Sequence, residues 1–352
     1  MKNIELYHLG NVPWQETQLI YHALAYLGRE SLVLVSPASP YVCIGYHQDV
    51  THEIDVEFCR ENNIPIFRRK VGGGAVYLDG DQLFFHLILR KNNPAIPPSK
   101  KGFYQKFLQP IVTVHHRIGI RAEYKPVNDI IVNYRKISGT GVGEIGDCIV
   151  FVGNLILDFN YEIMSRILKV PDEKFRDKVR KTIEDNLTTI RRELNQTQQA
   201  GWNEAKLNAL MAEEFGKLLG TFESSEKDDE LISKMAALGS EMIDDAWLYR
   251  KGKSTSMRSV KIRSGVAVQH RMHKAPGGLI RADFEVREGY LSGASISGDF
   301  FCYPEDSIAQ LESMLEGIAT TDIHTVLTEF CGRRDIEIPC VEFNDWMKVL
   351  RA

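Results

Sequence analysis

Two spacings of apolar residues run along the chain and mark out its elements. Helical spacing occurs in Trp14–Leu27 (Leu19, Ala23, Leu24, Leu27), in Asp55–Asn62 and across Phe103–Ile118. It is plainest in Trp202–Leu219, where Leu207, Leu210, Met211, Phe215 and Leu218 form one stripe. Short apolar runs at residues 4–9, Leu32–Ser36, Tyr41–Gly45, Ile64–Phe67, Leu83–Leu89 and Cys148–Asp158 predict strands. Pro-Ala-Ser-Pro between Leu32–Ser36 and Tyr41–Gly45 reads as a hairpin-like break. Short helices are expected over Tyr161–Leu168, Pro171–Val179 and Glu184–Leu194. Thr221–Glu230 is polar and poor in apolar residues, as a linker would be, and a short helix over Leu231–Gly239 extends it. From about Trp247 the pattern changes. Gly278–Val286 alternates strictly, with Ile280, Ala282, Phe284 and Val286 on one face and Arg281, Asp283, Glu285 and Arg287 on the other. Glu288-Gly289 turns this run into Tyr290–Ser297, a hairpin on a half-buried sheet, and amphipathic helices follow over Pro304–Gly317 and Thr320–Phe330. The pattern is α+β, with a larger domain over 1–225, a linker over 226–245 and a small α+β domain over 246–352.

Composition narrows the class. The 352 residues are enough for two cores, and a formal charge of −4 argues against wholesale nucleic-acid binding. Six cysteines (Cys43, Cys59, Cys148, Cys302, Cys331, Cys340) are scattered without CxxC or zinc-like spacing, which fits a reducing cytosol. No signal peptide opens the chain, and no apolar run nears the roughly 18 residues of a membrane span, so a soluble cytoplasmic protein is expected. His47 reads as a surface or internally satisfied histidine. His115 and His116 are helix neighbours that cannot share a face, which argues against a two-histidine metal site there.

Two stretches carry candidate chemistry. In Phe67–Asp79, Arg68 and Arg69 precede Gly72-Gly73-Gly74, and peptide N–H groups of such a loop suit anionic oxygens. In Val127–Thr140, Asn128-Asp129 leads into a short strand, a turn at Asn133-Tyr134 and then Lys136-Ile-Ser-Gly-Thr140. No GxxxxGK[ST] sequence is present, so a P-loop is excluded.

Together the two stretches resemble the signature of the lipoate–protein ligase A family, within the biotin/lipoate protein ligase superfamily. That family has Arg-Arg-x-x-Gly-Gly-Gly-Ala-Val, then an Asn-Asp pair and Lys-x-Ser-Gly-Ser/Thr, in this order. The resemblance implies a catalytic domain with mixed sheets and flanking helices over 1–225 and an accessory domain over 246–352, the latter carrying Gly298-Asp-Phe-Phe301. It implies an ATP-dependent enzyme that converts lipoate or octanoate to an acyl-adenylate and passes the acyl group to a lysine of a lipoyl domain. The acceptor would belong to a 2-oxoacid dehydrogenase acyltransferase subunit, glycine cleavage H protein or another lipoate-binding protein, with no nucleic acid or membrane involved. By the same resemblance Lys136 is catalytic, and Gly45, Arg69, Gly72, Gly73, Gly74, Ala75, Ser138, Gly139, Thr140 and Gly153 bind the acyl-adenylate. Asn128, Asp129, Tyr77 and Asp79 face ATP and Mg²⁺, with Asp129 either a Mg²⁺ ligand or a turn cap. The family pattern is broken at Gln18 and His22, at Leu78 and at Asp81-Gln82, while Val152-Gly153-Asn154 replaces His-Gly-Thr.

Forming an acyl-adenylate brings two anions together, so the site needs cations and oriented N–H donors where charge accumulates. A mobile lysine ammonium such as that of Lys136 suits this. Two alternatives stand beside the ligase. Cys148 lies near where related octanoyl transferases place a thioester-forming nucleophile, and the altered positions fit a non-catalytic acyl-binding protein.

Overall fold

The computed structural model describes residues 4–251 and 266–351. Its backbone falls into two compact units. The first comprises Met1–Val42, Glu57–Ile66 and Val76–Met242, and the second Cys43–Val56, Phe67–Ala75 and Ile243–Ala352. Fifteen strands are described. The first eight are β1 (Ile4–Val12), β2 (Ser31–Pro37), β3 (Tyr41–Ile44), β4 (Ile66–Arg68), β5 (Val76–Leu78), β6 (Gln82–Arg90), β7 (Glu123–Lys125) and β8 (Asp129–Val132). Then come β9 (Arg135–Ser138), β10 (Thr140–Ile145), β11 (Cys148–Ile156), β12 (Phe222–Ser224), β13 (Val266–Ala275), β14 (Gly278–Arg287) and β15 (Tyr290–Gly298).

In the first unit a six-stranded mixed sheet runs β10-β11-β6-β2-β1-β12. All of β2 and all of β6 except Arg90 are buried, which explains why both read as unbroken apolar runs rather than alternating ones. The helix Trp14–Tyr26 buries ten of its residues and packs on β2 and β6. Phe85 of β6 meets Phe215 of the helix Glu204–Leu219 and Phe151 of β11, and Phe103 meets Phe151 in turn. A second sheet, β7-β8-β9, carries the Asn-Asp and Lys136 stretches. Asn133 and Tyr134 both have positive φ, 49° and 67°, the geometry of a tight two-residue hairpin turn.

Several expectations change here. Pro37–Pro40 does not close a hairpin, since the neighbours of β2 are β6 and β1 and β3 belongs to another sheet. Phe103–Ile118 is two helices, Lys100–Phe107 and Gln109–Arg117, because Pro110 has no N–H to continue the first and sits in the first turn of the second. Pro171–Val179 and Glu184–Leu194 become a 3₁₀ turn at Glu173–Phe175, a longer helix Arg176–Asn186 and one turn at Ile190–Glu193. Within the polar stretch Thr221–Glu230, β12 pairs in parallel with β1 (Ile4 opposite Phe222), and the helix after it spans Asp229–Met242.

The second unit is built on the antiparallel sheet β13-β14-β15. Glu288 and Gly289 adopt φ 54° and 83° at the β14–β15 turn, as a two-residue loop requires. Ile280, Ala282 and Phe284 bury the predicted apolar face, with Leu311, Leu327 and Trp346 from the helices Ser307–Leu315, Ile323–Gly332 and Phe343–Leu350 in the same core. No helix among the described residues is long and apolar enough to cross a membrane.

Candidate active site

The triple-glycine loop lies in the second unit, and its cations turn inward. Arg69 donates from Nη2 to the carbonyls of Gly72 (2.8 Å) and Gly74 (2.9 Å) and from Nη1 to that of Cys43 (3.2 Å). Arg68 is wholly buried. It donates to the carbonyls of Gly45, Tyr46 and Gln48 at 3.2, 2.9 and 2.6 Å and to Leu248 at 2.6 and 3.0 Å, while Trp247 Nε1 donates back to the Arg68 carbonyl. Burial lowers its pKa to about 10, so the guanidinium stays charged near neutrality and five N–H···O contacts offset its desolvation. Glycine is required at two places. A Cβ on Gly45 would lie 1.9 Å from the Gly73 carbonyl, and Gly73 itself has φ 91°. The Gly73 N–H points to the Phe300 carbonyl at 3.4 Å, and Ala75 is half-buried beyond Gly74. His47 is neither at the surface nor satisfied: it is 2 % exposed, stacks on Phe300, and its Nδ1 has no partner among the described residues.

The lysine turn lies in the first unit. Lys136 leaves β9 half-exposed, and its Nζ sits 2.7 Å from Asp129 Oδ1 across the β8–β9 pair. Its backbone is fixed by Ile131 opposite and by Thr188 N–H donating to its carbonyl at 2.8 Å. Ser138 Oγ donates to the Asn154 carbonyl (2.6 Å), and Gly139 N–H donates to Asn154 Oδ1 (2.9 Å). Asn128 and Thr140 hold each other through Asn128 Nδ2 to the Thr140 carbonyl and Thr140 Oγ1 to the Asn128 carbonyl (2.6 Å). Gly153 faces Thr140 on one side and Phe85 on the other, where a Cβ would be 2.4 Å from the Phe85 ring. Lys136, Asp129, Asn128, Ser138, Gly139, Thr140 and Gly153 therefore form one constellation. Tyr77 is buried, and half-buried Asp79 accepts from Asp81 N–H at 3.1 Å. Burial raises the pKa of both side chains, and for Tyr77 the Asp79 charge adds to the effect.

Cys148 is different. It opens β11 opposite Ile145 and Arg90, six residues before Asn154, or about 20 Å along an extended strand. It is fully buried, and desolvation pushes its thiol up to about 11 against the pull of Arg90. A thiol protonated near neutrality and far along the strand from the lysine turn counts against a nucleophile.

Sequence reasoning missed Arg68 as an internal clamp and the grip of Asn154 on the Ser138-Gly139 turn. The signal for Asn154 was there: it stands where the family pattern breaks.

The family described as "Lipoyl protein ligase A/B catalytic domain" matches residues 12–215. The chain belongs to this family. The family described as "Bacterial lipoate protein ligase C-terminus" matches residues 268–345. Among curated relatives, "Lipoate-protein ligase LplJ" of Bacillus subtilis is 27% identical over 79% of this chain and 78% of its own length. "Lipoate--protein ligase 1" of Staphylococcus aureus is 26% identical over 89% and 84%. More distant members carry another name: "Octanoyltransferase LipM" of Kyrpidia tusciae is 23% identical over 60% of this chain and 84% of its own. Among solved structures, P. falciparum LipL1 in complex with lipoate shares the fold with a TM-score of 0.68 at 17% identity, covering 94% of this chain and 95% of that one. A bipartite lipoate protein ligase from Thermoplasma acidophilum, described with its E2 lipoyl domain, gives 0.62 at 20% identity, covering 71% and 97%. The lipoyl ligase fold expected from the two motifs is thus the fold observed.

Proposed function

We propose that this protein is an ATP-dependent lipoate–protein ligase. The observation that carries the reading is the half-exposed Lys136 ammonium, set by a satisfied glycine turn and balanced by one carboxylate, Asp129. A carboxylate oxygen of lipoate attacks the α-phosphorus of ATP and pyrophosphate leaves. A lysine amine of the acceptor then attacks the acyl carbonyl, AMP departs and the amine gives up a proton. Lys136 is suited to both steps, because its flexible ammonium can exchange Asp129 for the developing phosphoryl and carbonyl charge. Mg²⁺ belongs to the ATP substrate; a single carboxylate plus phosphate oxygens is an ordinary way to hold it, and Asp129 is the carboxylate at hand. No cluster of three or more His, Cys, Asp or Glu among the described residues forms a metal cage of the protein's own. Arg69, by fixing the Gly72 and Gly74 carbonyls, leaves the loop shaped for the acyl-adenylate. The acceptor is a lipoyl domain, and the scattered cysteines suit a reducing cytoplasm.

The test is intact-mass analysis of a lipoyl domain incubated with the protein, lipoate and ATP. A gain of one lipoyl group that needs ATP is expected. Acyl transfer without ATP would move the assignment to a transferase, and binding without transfer to a scaffold.

A further inference from the structure

Gln82 and Asn154 are buried amides, 1 % and 9 % exposed, and buried amides must spend their donors and acceptors on defined partners. Here they spend them on each other and on two backbone groups, with the Asp79 carboxyl as a further partner of Gln82. Gln82 Nε2 donates to the Tyr77 carbonyl at 3.1 Å. Asn154 Nδ2 donates to Gln82 Oε1 at 2.8 Å, and Asn154 Oδ1 accepts from Gly139 N–H at 2.9 Å. The ends set the sense of the chain, since a carbonyl can only accept and a peptide N–H can only donate. Reversing either amide would face oxygen with oxygen or N–H with N–H. Asn154 holds the turn with its backbone as well, donating its N–H to the Gly139 carbonyl (3.2 Å) and accepting from Ser138 Oγ (2.6 Å).

The turn in turn bounds the lysine. A Cβ built on Gly139 would lie 3.6 Å from Lys136 Cε, 3.9 Å from its Nζ and 3.7 Å from Asn154 Oδ1. The lysine side chain therefore runs along the Gly139 backbone, on the peptide that Asn154 grips. We infer that Gln82 and Asn154 are positioning residues for Lys136: a two-amide relay from the Tyr77 carbonyl to the Gly139 N–H that fixes where the ammonium can reach. This rests on the reading of Lys136 as the catalytic cation. Two of the sites where the chain leaves the family pattern are thereby one device, each amide supplying the partner the other needs.

The relay is tested by pyrophosphate release from ATP and lipoate in purified full-length variants, with Lys136→Ala run alongside. Asn154→Ala is expected to lower kcat by roughly 10- to 100-fold while KM for ATP and for lipoate moves less than about threefold, because placement is lost and binding contacts are not. Gln82→Ala should act in the same direction, and the double variant should be little worse than Asn154→Ala, as members of one unit behave. Gln82→Glu gives a readout that a merely structural role would not move. A neutral carboxylic acid can donate to the Tyr77 carbonyl and still accept from Asn154, whereas a carboxylate faces both that carbonyl and the Asp79 carboxyl with charge. The kcat of Gln82→Glu relative to wild type should therefore climb as pH falls. This pH arm also decides the matter if Asn154→Ala does not fold. Parallel pH profiles for Gln82→Glu and wild type, or additive losses in the double variant, would overturn the relay. If Lys136→Ala keeps near-normal turnover, the catalytic reading fails instead. A dead Lys136→Ala beside a normal Asn154→Ala would remove the relay alone.

Discussion

Arg68 and Arg69 stand beside one glycine-rich turn and Lys136 beside another, yet their nitrogens end on different partners. The two guanidiniums of the second unit are spent on carbonyls of Cys43, Gly45, Tyr46, Gln48, Gly72, Gly74 and Leu248. The ammonium of the first unit touches a single exposed-side carboxylate. A planar fork with five donors suits carbonyls held at several angles, and it gives up that geometry reluctantly. An ammonium on a flexible stem loses little in exchanging one anion for another. Sequence alone presents all three as cations next to glycine. Their partners divide them into two that hold a loop through its carbonyls and one whose ammonium rests on a single carboxylate.

The sharpest way to break this contrast is Lys136→Ala. Loss of a preorganised electrostatic donor should lower ligation by a factor on the order of 10² or more, with thermal unfolding little changed because a half-exposed lysine buries little. Normal turnover in steady-state assays would end the distinction. Arg68→Met should do the reverse. It leaves four carbonyls without their donor and should cost about 2 kcal/mol or more of stability, read as a lower urea midpoint. An unchanged midpoint with lost activity would make Arg68 a substrate contact instead.

Asp129→Asn should have a smaller effect. It removes the counter-charge of Lys136 but keeps an acceptor, so about a tenfold loss of kcat is expected, with a rise in the Mg²⁺ needed for half-maximal rate if Asp129 shares that ion. An unchanged Mg²⁺ requirement would confine Asp129 to orienting Lys136.

Local chemistry was legible in the chain and long-range pairing was not. The turns at Asn133-Tyr134 and Glu288-Gly289 and the strict alternation of β14 follow from residues adjacent in sequence, and each was found where expected. The constellation around Lys136 was legible because its members recur as a short signature. The inward turn of Arg68 was not legible because its acceptors come from two segments distant in sequence, 45–48 and Leu248. β12 was taken for linker because three residues with half-exposed Phe222 carry no periodicity, and only parallel pairing to β1 defines the strand. The strand β13 is likewise settled by its pairing with β14, whereas the helix Phe343–Leu350 was legible and passed over, with Phe343, Trp346, Met347 and Leu350 at helical spacing behind a capping box.

The smallest expected effect is also the one that separates ligase from transferase within this family. Cys148→Ser replaces a buried sulfur by a hydroxyl at the far end of β11 from Asn154. If the acyl group travels as an adenylate, no thiolate is needed, and ATP-dependent ligation should stay within about twofold of wild type. The pH dependence follows from the raised thiol. Burial holds Cys148 up at about 11 against an ordinary 9.0, so between those values the folded protein binds the proton that the unfolded chain gives up. Stability is then fully present below about pH 9 and falls as pH rises towards 11. The serine variant, having no thiol to ionise, should show a shallower alkaline decline in thermal unfolding scans, with the remainder due to other buried groups such as Cys43, Tyr46 and Cys302. A dead Cys148→Ser protein, together with rates indifferent to ATP, would show that this chain follows the relatives named octanoyltransferase. Activity retained while the alkaline decline becomes shallower would show that the cysteine is a packing residue whose ionisation the fold opposes.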